Sequence, residues 1–553
     1  ANSDHFERRY VHRLTRFFSG LLLRIETPRV IVLGIDVGGT HTDAALMDDG
    51  RFVDGVKVSS SKDVHRSILN ALDMLTERQP DLIEQLDLIS LGTTQFTNAV
   101  VERRALAPVL AIRLGAPSGK GLPSGVGWPS DLADHAIKAS LHLKGGHLFT
   151  GESLSTLDDQ DVAGCHDLLS KHPDCPVVIS APFSPIRPES ELDLAKALAQ
   201  QDPRRRFTCS QTMGGLGLLE RENAAILNAA LRPYAEDVVD GYHRALDDRS
   251  IKAPFFVSQN DGTVLSAGRI KALPALTFAS GPTNSIRGVA EVTALKDAIV
   301  IDVGGTTSDI GVLKQGLPRT SHQVVEIETV RTHFRMPDLV SLGLGGGTLV
   351  HEDGTFGPES VGYELGNKAL VFGGNTLTLS DIAVRAGAMA IGDPSLVAHL
   401  SDGFIDLVYD RIRAAVYPLV DQMRGEQTAL PVIVVGGGAA ILRPCAEAHW
   451  SFLDAAVSGL VNAIGASAAE ASGYADEVIH FNDEPRTLAI ERLTEKALDD
   501  LESSGGVRNL AALSSIEENH VPYLGNAWFR VKVSVRSPIA PRVQSLNLHK
   551  VSE

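Results

Sequence analysis

The sequence predicts an α/β protein built from two related halves that share a central cleft. Three observations lead to this prediction: a nine-residue pattern occurs twice, each copy follows an apolar strand-like run, and further glycine clusters follow other predicted strands. The first copy lies in IDVGGTHTDAAL (35–46) and the second in IDVGGTTSDIGVL (301–313). Two copies of I-D-V-G-G-T-x-[TS]-D, each behind a strand, indicate a duplicated domain. The alternative is two unrelated hairpin turns.

The first copy of the motif lies between two predicted strands. VIVLGID (30–36) is an almost unbroken apolar run, as expected for a buried strand, and the residues after the glycines are strand-like again. A dinucleotide-binding fingerprint needs G-x-G-x-x-G at the start of a helix, so the strand–turn–strand order excludes it. GAPSGKG (115–121) has three residues between its first two glycines instead of four, and Gly121 in place of Ser or Thr, which excludes a P-loop.

Other segments supply the remaining elements. PVIVVGGGAAIL (431–442) predicts a strand, a glycine turn and a helix start, and SLGLGGGTLV (341–350) places another glycine turn after an apolar run. Apolar residues at near-helical spacing predict a helix over 218–231, ended by the Arg-Pro pair that follows it. A small-residue helix packed tightly on a sheet is predicted over 461–472, and the alternation in 526–537 predicts a strand that ends the fold.

Composition excludes several classes of protein. A chain of 553 residues is expected to form two or more domains, and its net charge of −17 argues against a nucleic-acid partner. The four cysteines include no C-x-x-C pair, which predicts a reducing, cytoplasmic compartment and neither a disulfide framework nor a zinc site. No apolar run is long enough to predict a membrane span. Residues 1–29 form a basic amphipathic segment, interpreted as a dispensable extension; a transit-type targeting peptide is the alternative.

The two glycine turns predict a site for phosphate. Successive backbone N–H groups in such a turn form a concave anion site, and two turns facing each other would hold the β- and γ-phosphates of ATP from both sides. Asp36 and Asp302, at the ends of the preceding strands, are predicted to hold Mg²⁺ through its waters and to take part in catalysis. Asp309, which ends the second copy, is the third candidate catalytic residue. The predicted ATP-binding residues are Gly38, Gly39, Thr40, Thr42, Gly304, Gly305, Thr306, Thr307, Gly436, Gly437 and Gly438.

This arrangement resembles the sugar kinase/Hsp70/actin superfamily, in which two ribonuclease-H-like domains enclose ATP. Six further motifs narrow the resemblance, since they look, in this order, like the ATP-binding (hydantoinase A-like) subunit of the hydantoinase/oxoprolinase family in its short form. The six motifs are GTTQFTNAVVERR (92–104), LLERENAAILNAALRP (218–233), TFASGPTNSIRG (277–288), SLGLGGGTLVHEDG (341–354), FGPESVG (356–362) and VPYLGNAWFRVKV (521–533). The resemblance covers nearly the whole chain.

The resemblance implies an activity: ATP-dependent opening of a cyclic amide, such as a hydantoin, 5-oxoproline or another lactam, by phosphorylation of its carbonyl oxygen. Thr93, Thr94 and Asn98 are candidate substrate ligands, with a polar loop that caps the next helix as the alternative. Glu222 is a fourth candidate, with a solvated helix face as the alternative. His41 stands where family members commonly carry Phe or Asn, and it is predicted to fill the turn rather than to tune phosphate contacts.

The resemblance also implies domain limits and a partner. The predicted units after the extension are a first half (30–298), a second half (299–480) and a C-terminal segment that packs back on the core (481–553). Many family enzymes need a second subunit, so a hydantoinase B-like or other partner is expected, and a homo-oligomer is left open. Two other functions remain as alternatives: a small-molecule kinase of the same superfamily, and a non-catalytic ATP-switched binding protein.

Overall fold

The computed structural model describes residues 29–38, 41–60, 64–321, 324–425, 429–468 and 470–539, so the predicted N-terminal extension lies outside the described residues except for Arg29. The strands of the described chain are, in order, β1 (Ile31–Val37), β2 (His41–Asp48), β3 (Arg51–Ser59), β4 (Leu88–Thr93), β5 (Val109–Leu114), β6 (Ile137–Leu143), β7 (Val177–Ser180), β8 (Phe207–Cys209), β9 (Phe255–Ser258), β10 (Val264–Ser266), β11 (Ala298–Val303), β12 (Ser308–Lys314), β13 (Leu317–Pro318), β14 (Val325–Ile327), β15 (Val330–Thr332), β16 (Leu339–Leu342), β17 (Thr348–Val350), β18 (Phe356–Ser360), β19 (Val432–Val435), β20 (Trp450–Phe452), β21 (Glu470–His480), β22 (Ala512–His520) and β23 (Trp528–Pro538).

The helices lie between these strands and cover the faces of the sheets. In chain order, the α-helices of the described residues are α1 (Val64–Arg78), α2 (Pro80–Glu84), α3 (Gln95–Val101), α4 (Ser130–Ala136), α5 (Asp159–Lys171), α6 (Glu189–Gln201), α7 (Leu218–Asp247), α8 (Ala267–Ala272), α9 (Ser280–Thr293), α10 (Leu365–Lys368), α11 (Leu379–Arg385), α12 (Asp402–Arg424), α13 (Ala455–Ser458), α14 (Val461–Ala466) and α15 (Arg486–Ser503).

The largest sheet joins the two ends of the described chain. Its nine strands follow the order β22-β23-β21-β10-β9-β4-β1-β2-β3, so the last three strands of the chain extend the sheet that begins with β1. β1 pairs antiparallel with β2 and parallel with β4. The predicted strand over 526–537 is confirmed as β23, but β23 lies between β21 and β22 and does not form an edge. The predicted domain limits stay a prediction.

The second sheet repeats the arrangement at the start of the first. β11 pairs antiparallel with β12 and parallel with β19, as β1 does with β2 and β4. The register places Asp302 opposite Asp309, just as it places Asp36 opposite Asp43. The repeated sequence motif is therefore a repeated hairpin, which confirms the prediction of a duplicated fold and of a strand–turn–strand start.

A third, four-stranded sheet forms a smaller unit inside the first half. Its strands are parallel, in the order β6-β5-β7-β8, and one face packs against α7. The sequence pattern predicted that the helix beginning at Leu218 ends at the Arg-Pro pair, and this prediction was wrong, because α7 continues through Pro233 to Asp247. Proline removes one backbone hydrogen bond, but the long buried face of α7 on both sides of Pro233 keeps the helix packed.

The small-residue helix in the second half is shorter than predicted. α14 ends at Ala466, and from Glu470 onward the chain forms β21, so the prediction of one helix over 461–472 was wrong in its second part. Its tight packing on a sheet is confirmed, because a Cβ on Gly34 of β1 would lie 2.0 Å from the carbonyl oxygen of Ala463. Among the described residues, no helix is long and apolar enough to cross a membrane.

Candidate functional site

The two repeated turns close in the same way. In the first, the Gly38 N–H donates to the carbonyl oxygen of His41 at 3.0 Å, and in the second the Gly304 N–H donates to that of Thr307 at 2.9 Å. Each turn therefore ends a β-hairpin directly after an aspartate-bearing strand. This shared geometry follows from the shared sequence, because glycine leaves room for the carbonyl oxygen beside it, 3.1 and 3.2 Å from where a Cβ would lie.

The predicted phosphate ligands of the turns differ in accessibility. Gly305, Thr306 and Thr307 are exposed at the tip of the second turn, where a ligand can reach their N–H and hydroxyl groups. Thr42 is buried, and its hydroxyl forms a hydrogen bond with Ser60 Oγ at 3.1 Å. The predicted ligands at positions 39 and 40, a glycine and a threonine, lie outside the described residues.

The two aspartates that end β1 and β11 lie close enough to interact. Burial raises the pKa of Asp36 to about 6 and, together with the charges of Asp309 and Asp36, raises the pKa of Asp302 to about 7. Each carboxylate belongs to a different sheet, so the predicted pair of acids comes from both halves of the molecule. The effect of the Asp36 charge on the pKa of Asp302 means that negative charge is concentrated at one place between the halves.

A pair of crossed helices, α9 and α14, lies against both carboxylates. Asn284 Nδ2 of α9 donates to Asp36 Oδ1 at 2.9 Å, and the next residue, Ser285, donates to the carbonyl oxygen of Pro282 at 2.9 Å. Ser285 lowers the pKa of Asp302, and Asn462 of α14 lowers the pKa of both aspartates, in each case against the larger effect of burial. The sequence did not predict roles for these three polar residues. The only feature that could have pointed to them is that they are polar residues within helices built mainly of small residues.

Two glycines leave room for the carboxylates. A Cβ on Gly92, at the end of β4, would lie 2.2 Å from Asp36 Oδ1. A Cβ on Gly436, after β19, would lie 2.3 Å from Asp302 Oδ1. In both halves, therefore, a glycine on the neighbouring parallel strand provides the space in which the aspartate side chain lies.

Two further glycine clusters frame the second turn. The Gly438 N–H donates to the carbonyl oxygen of Val303 at 2.8 Å, and a side chain on Gly437 would meet nothing within 4 Å. In the other cluster, the N–H groups of Gly346 and Gly347 donate to the carbonyl oxygens of Gly304 and Gly305 at 3.0 and 2.7 Å. The predicted turn at 436–438 is thus beside the second hairpin, and it is followed by a 3-10 helix, Ala439–Cys445.

A second aspartate stands opposite each of the first two. Asp309 Oδ1 accepts a hydrogen bond from Ser341 at 2.5 Å, and burial raises the pKa of Asp309. Its counterpart in the first hairpin is Asp43, which receives a hydrogen bond from Lys57 Nζ at 2.7 Å. Asp43 was missing from the predicted site, although the repeat itself carried the signal: Asp43 and Asp309 have the same sequence spacing as Asp36 and Asp302.

Three of the four predicted substrate ligands lie beside the first hairpin. Thr94 Oγ1 donates to the carbonyl oxygen of Val37 at 3.4 Å, and Asn98 Nδ2 donates to Thr94 Oγ1 at 3.3 Å. The Thr93 N–H donates to Ser280 Oγ at 3.2 Å. The Thr94 side chain accepts no hydrogen bond from a backbone N–H of α3, whereas Thr93 Oγ1 accepts one from the Gln95 N–H at 3.2 Å, as the capping alternative expects. A role in binding substrate stays a prediction for all three.

Glu222 lies in a different environment. It is buried in α7 and accepts hydrogen bonds from Arg113 at 2.5 and 2.7 Å and from Ser180 Oγ at 2.6 Å. Burial opposes its ionisation, but the Arg113 guanidinium outweighs this effect and holds the pKa of Glu222 below its usual range. The alternative of a solvated helix face is therefore wrong for Glu222, and its predicted role in binding substrate stays a prediction. Its contacts connect α7 to the four-stranded sheet.

The acidic side chains do not by themselves form a cation cage. Among the residues that the structure describes, no three or more His, Cys, Asp or Glu side chains are placed to hold a metal ion. Asp36 and Asp302 nevertheless suit a hydrated Mg²⁺, because Mg²⁺ keeps several waters and commonly uses one or two carboxylates together with phosphate oxygens. A cation there would also offset the repulsion between the two buried carboxylates.

Two family models match successive parts of the chain. Residues 32–201 match the hydantoinase/oxoprolinase N-terminal region, and residues 221–393 match hydantoinase/oxoprolinase. Caprolactamase subunit alpha of Pseudomonas jessenii is 26% identical over 386 residues, which are 65% of this chain and 55% of that protein. Acetone carboxylase beta subunit of Xanthobacter autotrophicus is 26% identical over 392 residues, 65% of this chain and 54% of that protein. The chain thus spans about half the length of these curated relatives.

Solved structures share the fold. The crystal structure of ATP-dependent caprolactamase from Pseudomonas jessenii matches with a TM-score of 0.74 at 18% identity, covering 91% of this chain and 87% of that chain. Nucleotide-free acetone carboxylase matches with a TM-score of 0.64 at 19% identity, covering 93% and 88%. The predicted α/β fold with a duplicated hairpin is confirmed.

Proposed function

The chain belongs to the hydantoinase/oxoprolinase family, and from this premise we propose that it is the ATP-dependent subunit of an enzyme that opens a cyclic amide. The substrate class is a hydantoin, 5-oxoproline or a related lactam. The observation that carries this proposal is the pair of equivalent hairpins, whose aspartates Asp36 and Asp302 lie together between the two halves. Relatives named caprolactamase subunit alpha and 5-oxoprolinase 1, the latter from Arabidopsis thaliana, support the substrate class.

The two turns and the nearby glycine cluster suit the phosphates of ATP. Exposed N–H groups at Gly305 and Thr306, with the hydroxyls of Thr306 and Thr307, would bind phosphate oxygens from the second half. The first turn, which begins at Gly38, would bind them from the other side. The turn at 436–438 would hold the adenosine, because Gly437 faces open space next to the second hairpin. When bound, ATP supplies the phosphoryl group that activates the amide.

The acidic residues would hold Mg²⁺ and organise the reaction. Asp36 and Asp302 are placed to bind a hydrated Mg²⁺, and Asp309 adds negative charge next to Asp302. The ring of the cyclic amide would be oriented by Thr93, Thr94 and Asn98, which follow one another from the end of β4 into α3 and lie beside the end of β1.

Activation is required because amide resonance makes the carbonyl a poor electrophile. Transfer of the γ-phosphoryl group to the carbonyl oxygen would make the carbon electrophilic, so that one water attacks it and the ring nitrogen leaves as the amine. The acyl phosphate that remains would be hydrolysed by a second water to the carboxylate and free phosphate. The net reaction would consume one ATP and two waters and yield the opened product, ADP and phosphate. The task of the protein residues is to position the groups and to exclude water until the amide is activated.

A partner subunit would complete the enzyme. Three of the curated relatives are named as subunits alpha, beta and gamma of their enzymes, and the chain spans about half the length of the two relatives quoted above. We therefore infer that this chain works with a hydantoinase B-like or other subunit that supplies the rest of the reaction. The chain alone is expected to bind MgATP and to leave the ring intact.

The test measures ADP, phosphate and the opened product for a panel of substrates. Hydantoin, 5-oxoproline, simple lactams and acetone are each incubated with MgATP and the chain, with and without the protein that copurifies with it. Release of free phosphate in step with ring opening, dependent on the partner, supports the proposal. A stable phosphorylated product would instead identify a small-molecule kinase. Slow ATP turnover that responds to a protein client and to none of the small molecules would identify a switched binding protein.

A further inference from the structure

The two equivalent hairpins differ in the residue that lies next to their second aspartate. β3 pairs with β2 so that Lys57 lies directly opposite Asp43. In the second half, β16 pairs with β12 so that Ser341 lies directly opposite Asp309. The hairpins therefore carry the same acids, but the neighbouring strand supplies an ammonium group in the first half and a hydroxyl group in the second.

The ammonium of Lys57 belongs to a row of charged side chains across β1, β2 and β3. Asp36 lies directly opposite Asp43, which in turn lies opposite Lys57. Directly opposite residues of an antiparallel pair project from the same face of the sheet with their Cβ atoms about 5 Å apart, so these side chains are neighbours. Lys57 Nζ lies 2.6 Å from Asp43 Oδ1 and donates to Asp43 Oδ2 at 2.7 Å. Burial raises the pKa of Asp36, and the charge of Lys57 opposes that effect.

Lys57 remains able to bind an anion although it is paired. Its side chain is 41% exposed, whereas that of Asp43 is 13% exposed. An ammonium carries three N–H donors, so contacts with the two oxygens of one carboxylate leave a donor for another acceptor. Because the carboxylate already holds the flexible side chain in place, binding a ligand there costs less side-chain entropy. The end of Lys57 is therefore suited to a phosphate oxygen.

Lys57 lies near the contact between the two halves. A Cβ on Gly459 would lie 3.9 Å from Lys57 Cε. The preceding residue, Ser458, donates through its hydroxyl to the carbonyl oxygen of Gly436 at 3.2 Å, and a Cβ on Gly436 would lie 2.3 Å from Asp302 Oδ1. Two adjacent residues thus connect the surroundings of the ammonium to those of the carboxylate in the second half.

The order of the groups in the proposed complex brings the end of the nucleotide to the first hairpin. In the proposed function, the adenosine lies at the turn 436–438, beside the second hairpin, and the ring lies at residues 93–98, beside the first. The γ-phosphate is the part of ATP farthest from the adenosine, and it must meet the ring that it activates. It would therefore face the half of the molecule that carries Lys57.

We propose that Lys57 binds the γ-phosphate of ATP and so makes the site prefer ATP over ADP. The inference rests on the proposed function, because it assumes that the nucleotide lies between the hairpins. It also accounts for the difference between the hairpins, since only the one that faces the transferred phosphoryl group needs an ammonium. A lysine that served only to neutralise Asp43 would instead be dispensable once that carboxylate was removed.

The experiment measures the Kd of ADP and of a non-hydrolysable ATP analogue by isothermal titration calorimetry in Mg²⁺. Lys57→Met removes the ammonium and keeps the length of the side chain. A double variant, Lys57→Met with Asp43→Asn, also removes the carboxylate that would be left without its counter-charge, which excludes an indirect effect of that charge on folding or on the nucleotide. Lys271→Met is the matched control, because Lys271 is 35% exposed and pairs with Asp240 at 2.5 Å between α8 and α7. Thermal denaturation of each variant reports stability separately.

We expect both Lys57 variants to raise the Kd of the ATP analogue about tenfold or more, the effect of losing a hydrogen bond between charged groups. The Kd of ADP should change less than about twofold, and Lys271→Met should match the parent chain for both nucleotides. If Lys57→Met does not fold, the double variant decides the outcome.

Three results would overturn the role of Lys57 while leaving the proposed function intact: an equal change for the two nucleotides, no change for either, or recovery of the parent Kd in the double variant. If the parent chain binds neither nucleotide, the proposed function fails and the inference fails with it.

Discussion

Gly92 provides a sharp test of how the first carboxylate is held. It lies opposite Asp36 in the parallel pairing of β1 and β4, and its backbone is outside the left-handed region, so a substitution acts through space alone. In Gly92→Ala, the new Cβ would lie 2.2 Å from both Asp36 Oδ1 and Asn284 Nδ2. Ordinary contacts of a carbon atom begin at about 3.5 Å, so both side chains must move by about 1 Å.

The size of the effect follows from the hydrogen bond that this movement breaks. A hydrogen bond to a charged group contributes about 1.5–3 kcal/mol, and overpacking a close-packed site costs about 1–3 kcal/mol. We therefore expect Gly92→Ala to lower the free energy of unfolding by about 2.5–6 kcal/mol. Because Asp36 is displaced, the Kd for MgATP should rise at least about tenfold, which corresponds to about 1.4 kcal/mol.

Two measurements on the same variant check this reasoning. Urea denaturation followed by circular dichroism gives the free energy of unfolding, and calorimetric titration gives the Kd. Gly268→Ala in α8 is the control, because its Cβ would meet nothing within 4 Å and alanine favours a helix. A Gly92→Ala protein that unfolds and binds MgATP like the parent chain would show that Asp36 is not held as described.

Three more predictions concern other contacts. Gly465→Ala places a Cβ 1.7 Å from the Asn284 carbonyl oxygen, so the two crossed helices must separate, and thermal denaturation should show a loss of about 1–3 kcal/mol. Glu222→Gln leaves the buried guanidinium of Arg113 without its counter-charge, and urea denaturation should show a loss of about 3–5 kcal/mol. The third concerns Asp302, whose pKa in the folded chain is about 7, above the usual 3.8. Without divalent cations, the folded state therefore binds more protons than the unfolded state between these two pH values. The free energy of unfolding should fall as pH rises through that range. Asp302→Asn should flatten this pH dependence in EDTA and make the protein more stable than the parent chain at pH 8, by roughly a few kcal/mol.

Each of these three predictions has its own control and a result that would contradict it. Gly459→Ala is the control for Gly465→Ala, because its Cβ would have its nearest contact at an ordinary 3.5 Å and should leave thermal stability unchanged. The same melting temperature for both variants would contradict the close packing of α9 on α14. Asp167→Asn breaks an exposed ion pair and should cost less than about 1 kcal/mol; an equally small cost for Glu222→Gln would mean that water reaches Arg113. A parent chain whose stability in EDTA rises between pH 5 and pH 7 would contradict the raised pKa of Asp302.

The repeated hairpins could be predicted from sequence because they are local. A strand, a glycine turn and a second strand are adjacent in the chain, so the motifs at 35–46 and 301–313 carry both the backbone and the position of Asp36 and Asp302. β23 could be predicted for the same reason, because the alternation of apolar and polar residues along the strand indicates that one of its faces is buried. What the pattern lacked was the pairing: β23 pairs with β21 and β22, and β21 in turn pairs with β10 of the first half, which no local signal records.

The predictions that failed depended on packing between distant segments. Pro233 would end an isolated helix, but α7 is buried on both sides of it. Asn284 donates to Asp36 although the two residues are far apart in sequence, and its helix is placed by a crossing with α14 at glycines. Glu222 resembled a solvated residue because Arg113, its counter-charge, is more than 100 residues away. In each case the deciding contact is tertiary, so spacing along the chain does not contain it.

The central claim is that one nucleotide lies between the two hairpins, and a crystal structure with Mg²⁺ and a non-hydrolysable ATP analogue tests it most directly. We predict phosphate density in contact with both turns, with the metal ion next to Asp36 and Asp302 and the adenosine near the glycines at 436–438. An analogue that contacts only one of the two turns, or that binds elsewhere on the chain, would contradict the account.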